Sequence, residues 1–307
     1  MAISPSEPPD LTPALALNIP TWRAAYSDRT CALMAAFCQL AYIPFDGVQP
    51  PQVRGAPATE KDGGRAELSS RLKAGAFDLI DVFNSDYTQA FLAVNAEEFA
   101  VLAFRGTANV ANWITDLNAA LTPLPGTPGV NVHTGFLEAY EHCRTQILVA
   151  VNAHVPPNLG LYVTGHSLGG ALAQIASAVL ARDNIAACYT FGSPRVGTSK
   201  FDRLVKCPHY RVVNSWDLVP GVPPPWFGGY CHTGDPRLLT PRSAGQEALR
   251  RDRNELARLG VDVYALIMAG VSRSLLVVDD HMIWNYRTQL ETIAAARSQP
   301  SGSTPNV

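Results

Sequence analysis

The sequence predicts an α/β protein built on one mostly parallel central sheet with helices on both faces. Three observations carry this expectation. Short apolar runs of strand length alternate with longer helical patterns, the mark of a parallel sheet covered on both sides. One such run passes straight into Gly165-His166-Ser167-Leu168-Gly169-Gly170 and then into a helix of small residues. Finally, no internal repeat or Pro/Gly/Ser linker divides the 307 residues, 47% of which are hydrophobic, enough for one large core.

Taken in order, residues 1–20 are rich in proline and lack periodicity, so they read as an extended N-terminal arm. From about Ala24 to Ala41 a helical pattern gathers Ala, Leu, Met, Phe and Cys on one side. Gly47 to Gly64 reads as a Pro/Gly-rich loop. Three strands are then expected, at Phe77–Phe83, Gln89–Val94 and Phe99–Phe104, the last two joined as a hairpin through Asn95–Glu98. After Leu121 the run TPLPGTPG breaks regular structure, and Phe136 to about Val151 is helical.

Leu161–Val163 is a short apolar strand and Ala171–Ala181 the small-residue helix that follows it. Ala187–Phe191 and Tyr210–Val213 are two further buried strands, separated by a short helix near Lys200–Val205. Ser243–Leu259 reads as a charged amphipathic helix, Ala265–Leu276 as an apolar segment, and His281–Arg297 as a closing helix. Residues 21–297 thus form a single domain, and 298–307 a disordered tail.

Composition excludes several classes. A formal net charge of -2 leaves no basic stripe for nucleic acid, so no nucleic-acid partner is expected. Arg250, Arg251 and Arg253 share their segment with Glu247, Asp252 and Glu255 and read as a solvated helix face. No apolar run approaches the roughly 18 residues of a membrane span. The N-terminus shows no basic leader with a hydrophobic stretch, so the expected location is the cytoplasm, or outside the cell as a mature secreted form. Oligomeric state is not legible.

Six cysteines are too few for a disulfide scaffold. Cys31 and Cys38 share a helix face but stand about 10 Å apart, too far to bridge. Cys207 and Cys231 could pair in a secreted protein. No CxxC or Cys/His ligand spacing appears, so neither a metal nor another cofactor is expected.

The chemistry is concentrated at Ser167. A serine hydroxyl is a weak nucleophile unless it is held out of the sheet within reach of a base, and a sharp strand-to-helix turn does this. His166 is an unsuitable base, because adjacent residues at a strand end point in different directions. Asp217, in RVVNSWDLVP just past a buried strand, is the candidate orienting acid. His281, in DDHMIWNY, is the candidate base, with His232 in GYCHTG as its rival. Asp279 and Asp280 suit a helix cap better than an orienting role. Backbone donors for transition-state charge are expected from Leu168, the residue after the nucleophile, and from Thr107 in the loop after Phe99–Phe104.

The stretches AFRGTANVANWITDL, VHTGFLEAY, VTGHSLGGALA, TFGSPRVG, FDRL, RVVNSWDLVP, YCHTG and DHMIWNY occur in this order. With them the chain resembles the class 3 (fungal-type) lipases of the α/β-hydrolase superfamily over about residues 25 to 297. The resemblance implies Ser167, Asp217 and His281 as a catalytic triad, and Thr107 and Leu168 as an oxyanion hole. It also implies a short helical lid from about Ala108 to Leu121. There Trp113, Ile114 and Leu117 would share one apolar face, although ordinary core packing is the other reading of Trp113.

The implied activity is carboxylic ester hydrolysis through an acyl-enzyme, on triacylglycerols at an oil–water or membrane interface. Phospholipase A1 or short-chain or aromatic-acid esterase activity is the enzymatic alternative. A hydrolase fold used only for binding is a third reading. The stretch between Pro220 and His281 departs from the family in length and composition, which leaves the acyl-pocket wall open.

Overall fold

The computed structural model describes residues 25–44, 64–85, 88–107, 118–214, 217–239 and 281–298. The readings of residues 1–20, of Ser243–Leu259 and Ala265–Leu276, and of Trp113, Ile114 and Leu117 lie outside them.

Helix α1 (Asp28–Leu40) is capped by Ser27, whose hydroxyl accepts the Thr30 N–H at 3.4 Å, and Asp28 in its first turn suits the positive helix end. Ten of its residues are buried, as expected of a helix apolar on most of its surface. Helix α2 (Gly64–Ala74) begins where the sequence reading ends its loop. Only Leu68 and Leu72 of its apolar residues are buried, a stripe too thin to stand out as periodicity.

Strands β1 (Asp78–Asn84), β2 (Gln89–Asn95) and β3 (Phe99–Phe104) form an antiparallel meander. From β3 the sheet continues in parallel through β6 (Gly160–His166), β7 (Ile185–Phe191), β9 (His209–Asn214) and β11 (Asp235–Leu239). The sheet is therefore mixed, with its parallel part holding the centre and one edge. β11 has no counterpart in the sequence reading, because Asp235, Pro236 and Arg237 disguise it. An edge strand tolerates such residues, since a proline there need not donate to a neighbour.

A smaller antiparallel sheet joins β4 (Leu121–Pro123), β5 (Asn131–His133), β8 (Gly197–Thr198) and β10 (Tyr230–Cys231). The run TPLPGTPG is thus not all breaker. It supplies β4 and then a turn in which Gly126 and Gly129 take φ of 75° and 74°.

Helices α3 (Thr134–His154) and α4 (Leu168–Leu180) cover one face of the main sheet. α1, α2 and the last helix, α6 (Ile283–Ser298), cover the other. The period-2 alternation of β2 and β3 divides the two cores. Phe91, Ala93 and Val101 face α1, while Leu92, Leu102 and Phe104 face α3 and α4. Each large side chain so buried contributes about 1.5–3 kcal/mol. The short helix between β8 and β9, α5, runs over Ser199–Asp202, and α6 extends through Ser298, into the segment read as tail.

All six cysteines are free, including Cys207 and Cys231. Cys207 stands two residues before β9 of the main sheet, whereas Cys231 lies in β10 paired with Gly197 of the smaller one, and the suggested bridge does not form. Among the described residues no helix is long and apolar enough to cross a membrane, and no group of His, Cys, Asp and Glu could hold a metal ion.

Candidate active site

β6, β7 and β9 end side by side at His166, Phe191 and Asn214, and the functional side chains stand just beyond these ends. Ser167 occupies the turn from β6 into α4 with φ 57° and ψ −129°, a conformation that a residue with a β-carbon rarely adopts. Its own N–H is held by the Phe191 carbonyl at 2.9 Å.

The glycines two places either side are required by contact. A β-carbon on Gly165 would lie 2.0 Å from the Gly169 carbonyl oxygen, and one on Gly169 2.3 Å from that of Phe104. The helix can therefore start against the strand ends only if both positions lack side chains. Ser167 is fully buried, and its Oγ has no hydrogen-bond partner.

Asp217 follows β9. Its Oδ1 accepts the Val219 N–H at 2.9 Å, while Oδ2 accepts His281 Nδ1 at 2.8 Å and the Tyr286 hydroxyl at 2.5 Å. Both side chains of the Asp217–His281 pair are completely buried. With Nδ1 committed to the carboxylate, Nε2 is the free nitrogen of His281. It is buried and unpartnered, like Ser167 Oγ. No hydrogen bond joins Ser167 Oγ to His281 Nε2 in this structure.

The rival imidazole is occupied elsewhere: His232 Nε2 donates to the Pro220 carbonyl at 2.8 Å. Burial, with Arg211 and Arg195 nearby, keeps that ring neutral by lowering its pKa well below the ordinary 6.5. It braces the chain just after Asp217. His166 is likewise buried and depressed, chiefly by burial and then by the neighbouring His281.

Leu168 is the first residue of α4, where helical N–H groups lack intrahelical acceptors. Thr107 follows Gly106, and a β-carbon on Gly106 would lie 3.0 Å from Ser167 Cβ, so the loop after β3 runs directly against the nucleophile turn. Among the described groups, this arrangement brings together a buried hydroxyl on a strained turn, an imidazole whose Nδ1 is held by a carboxylate, and the backbone segments at Leu168 and Thr107.

Three residues of the site escape the sequence reading. Tyr286 donates to Asp217 and accepts the Asn214 N–H at 2.9 Å. Its signal would have been its place about one turn past His281 in DHMIWNY. Gly192, with φ 56°, would need no such space elsewhere; here a β-carbon would meet His281 Nδ1 at 3.0 Å. A glycine directly after a buried strand was its only mark. Tyr42 bonds His166 Nδ1 at 2.7 Å, and nothing local to its sequence points to that contact.

Residues 101–227 match the family model for class 3 lipases. The chain is 44% identical over 145 residues to a secreted mono- and diacylglycerol lipase of Fusarium solani, a match covering 45% of this chain and 43% of that protein. It is 32% identical over 148 residues to a chloroplastic phospholipase A(1) of Arabidopsis thaliana, covering 40% of this chain and 33% of that one. The chain thus spans less than half the length of these curated relatives. A solved triacylglycerol lipase whose catalytic centre is formed by a serine protease triad aligns with a TM-score of 0.52 at 26% identity, covering 69% of this chain and 82% of that one.

Proposed function

We infer that this chain, a member of the class 3 lipase family in the α/β-hydrolase superfamily, is a serine ester hydrolase acting on acylglycerols. The observation that carries this reading is the buried 2.8 Å bond between His281 and Asp217 beside the strained, unpartnered hydroxyl of Ser167.

In the proposed reaction His281 Nε2 takes the Ser167 proton as Oγ attacks the ester carbonyl. The Leu168 and Thr107 N–H groups stabilise the oxyanion. The imidazolium then protonates the departing alcohol, and water, deprotonated by the same nitrogen, frees the acid from the acyl-enzyme. Asp217 holds the tautomer with Nδ1–H and stabilises the transient positive ring. Tyr286 and the Val219 N–H share the carboxylate's charge and keep it aimed.

Action at a lipid interface is supported by two adjacent exposed aromatics, Trp226 at 54% and Phe227 at 49% exposure. They close the run Pro223-Pro224-Pro225 on a loop fixed beneath by buried Arg195, which donates to the carbonyls of Gly221 and Pro223 at 2.5 and 2.9 Å. Aromatic rings on a stiff, uncharged loop suit a membrane-like boundary, where one ring edge stays hydrated and the body is not.

The likeness to a phospholipase A(1) favours diacyl phospholipids as the second reading. Hydrolysis of triacylglycerols of increasing acyl length, run beside phosphatidylcholine vesicles and with Ser167→Ala as control, tests both. Release of fatty acid from triacylglycerol emulsions is the expected result. Predominant lysophospholipid formation would shift the assignment, and full activity in Ser167→Ala would end it.

A further inference from the structure

A chain of hydrogen bonds runs behind the reacting groups and joins two parts of the site that the mechanism treats separately. It begins at Tyr42, just past the end of α1. A β-carbon on Gly106 would meet the Tyr42 hydroxyl at 2.4 Å, so Tyr42 packs directly against the loop that carries Thr107. The same oxygen lies 2.7 Å from Nδ1 of His166. Across the ring, His166 Nε2 lies 2.6 Å from the main-chain oxygen of His281.

The protons can be placed from chemistry alone. A carbonyl oxygen only accepts, so Nε2 of His166 carries its hydrogen. Nδ1 of the neutral ring must then accept, and the Tyr42 hydroxyl donates to it. Burial keeps the ring neutral, which leaves it one donor and one acceptor, each matched to a fixed partner. The His166 and His281 rings also lie against each other, with centroids 4.5 Å apart.

Asp217 alone does not fix the base. Its bond to Nδ1 sets the rotation of the His281 imidazole, but the main chain at His281 lies in a turn ahead of α6, outside helical hydrogen bonding. We propose that His166 is the positioning residue for the base. Its Nε2–H holds the His281 peptide at the height from which Nε2 of His281 faces Ser167, and Tyr42 selects the tautomer of His166 that can do so. The oxyanion-side loop and the base are thereby kept in register by one buried relay. This proposal rests on the ester-hydrolase reading of the site.

A merely space-filling His166 predicts something different, and paired substitutions separate the two. His166→Leu keeps bulk and removes the donor, whereas His166→Gln returns an amide N–H close to the place of Nε2. On a soluble p-nitrophenyl ester, kcat of His166→Leu should fall about hundredfold, the scale expected of a base displaced by about an ångström, with KM within about threefold. His166→Gln should recover kcat to within about fivefold of the native protein. Tyr42→Phe, which removes one hydroxyl and keeps the ring, should lower kcat several-fold and slow fluorophosphonate labelling of Ser167 in parallel.

Equal losses in the Leu and Gln variants, no loss in a folded Leu variant, or a loss confined to KM would each overturn the proposal. If His166→Leu does not fold, Tyr42→Phe decides, and an unchanged kcat there overturns it as well. Failure of the underlying reading has another signature, namely hydrolysis that survives Ser167→Ala.

Discussion

Gly192 and Asp217 approach so closely that a β-carbon on the glycine would stand 2.4 Å from the carboxylate Oδ2. The same atom would press on the His281 ring, and Gly192 also adopts φ 56°. Gly192→Ala therefore meets both a backbone penalty and a clash with the pair it borders. The expected outcome is a fall of about hundredfold or more in kcat/KM, out of proportion to a loss of about 1–3 kcal/mol in stability. Steady-state kinetics beside thermal unfolding checks it, and a near-native rate would contradict the packing.

Ser167 is expected to trade stability for reactivity. Its φ of 57° belongs to the region glycine prefers. Ser167→Gly should raise stability by about 1 kcal/mol while removing the nucleophile. Ser167→Ala, which keeps the strain, should lose about four orders of magnitude in kcat with little gain in stability. Denaturant unfolding of the two variants side by side makes the comparison.

Tyr286→Phe removes the hydroxyl that links Asp217 to the end of β9. The hydroxyl both donates to Oδ2 and accepts from Asn214, so its removal leaves a buried N–H without that partner. A loss of about 1–3 kcal/mol is expected, together with a lower kcat and an almost unchanged KM. A shift confined to KM would place Tyr286 in substrate binding instead.

Trp226→Ala and Phe227→Ala should separate interface from chemistry. Both residues are about half exposed, so folding should change by about 1 kcal/mol or less. Hydrolysis of a dissolved short-chain ester should persist, while binding to vesicles and activity on emulsions should drop several-fold. Equal effects on both substrates would remove the loop from any interfacial role.

Acid should weaken the fold through its buried neutral histidines. His133 caps α3 by accepting the Phe136 N–H at 3.3 Å through Nδ1, and burial lowers its pKa from the ordinary 6.5 to about 4. In this window the unfolded chain binds a proton that the folded chain refuses. Stability is therefore fully present above 6.5 and is lost as pH falls toward 4. His133→Asn retains a capping acceptor that does not titrate, and should flatten part of this dependence. Thermal midpoints of both proteins across that range give the test.

The legible part of the molecule was its centre. The strand Phe99–Phe104 could be read because both faces are buried and all its residues are apolar, and Tyr210–Val213 because Tyr210, Val212 and Val213 outweigh the single charged Arg211. The edge was not legible: β11 is polar and begins Asp235-Pro236, and the two-residue strands β8 and β10 carry no period at all. α2 was missed because its inward stripe is little more than Leu68 and Leu72. The proposed reacting groups stand out through local turn chemistry. Gly192, Tyr42 and Tyr286 do not, since their importance comes from neighbours up to 124 positions away in the sequence. The lid reading of Trp113, Ile114 and Leu117 falls outside the described residues.

The proposed base and nucleophile are mounted on different supports. Ser167 and Asp217 follow interior strands of the sheet, whereas His281 precedes α6, which packs on α1 and is joined to it by the Arg297–Asp28 ion pair at the outer end. Undocking α6 alone, which buries the stripe Ile283, Tyr286, Leu290 and Ala294, wets far less surface than opening the sheet. On warming, hydrolysis should therefore fail at a lower temperature than far-ultraviolet dichroism does: the molecule is disarmed at its rim while its centre is still intact.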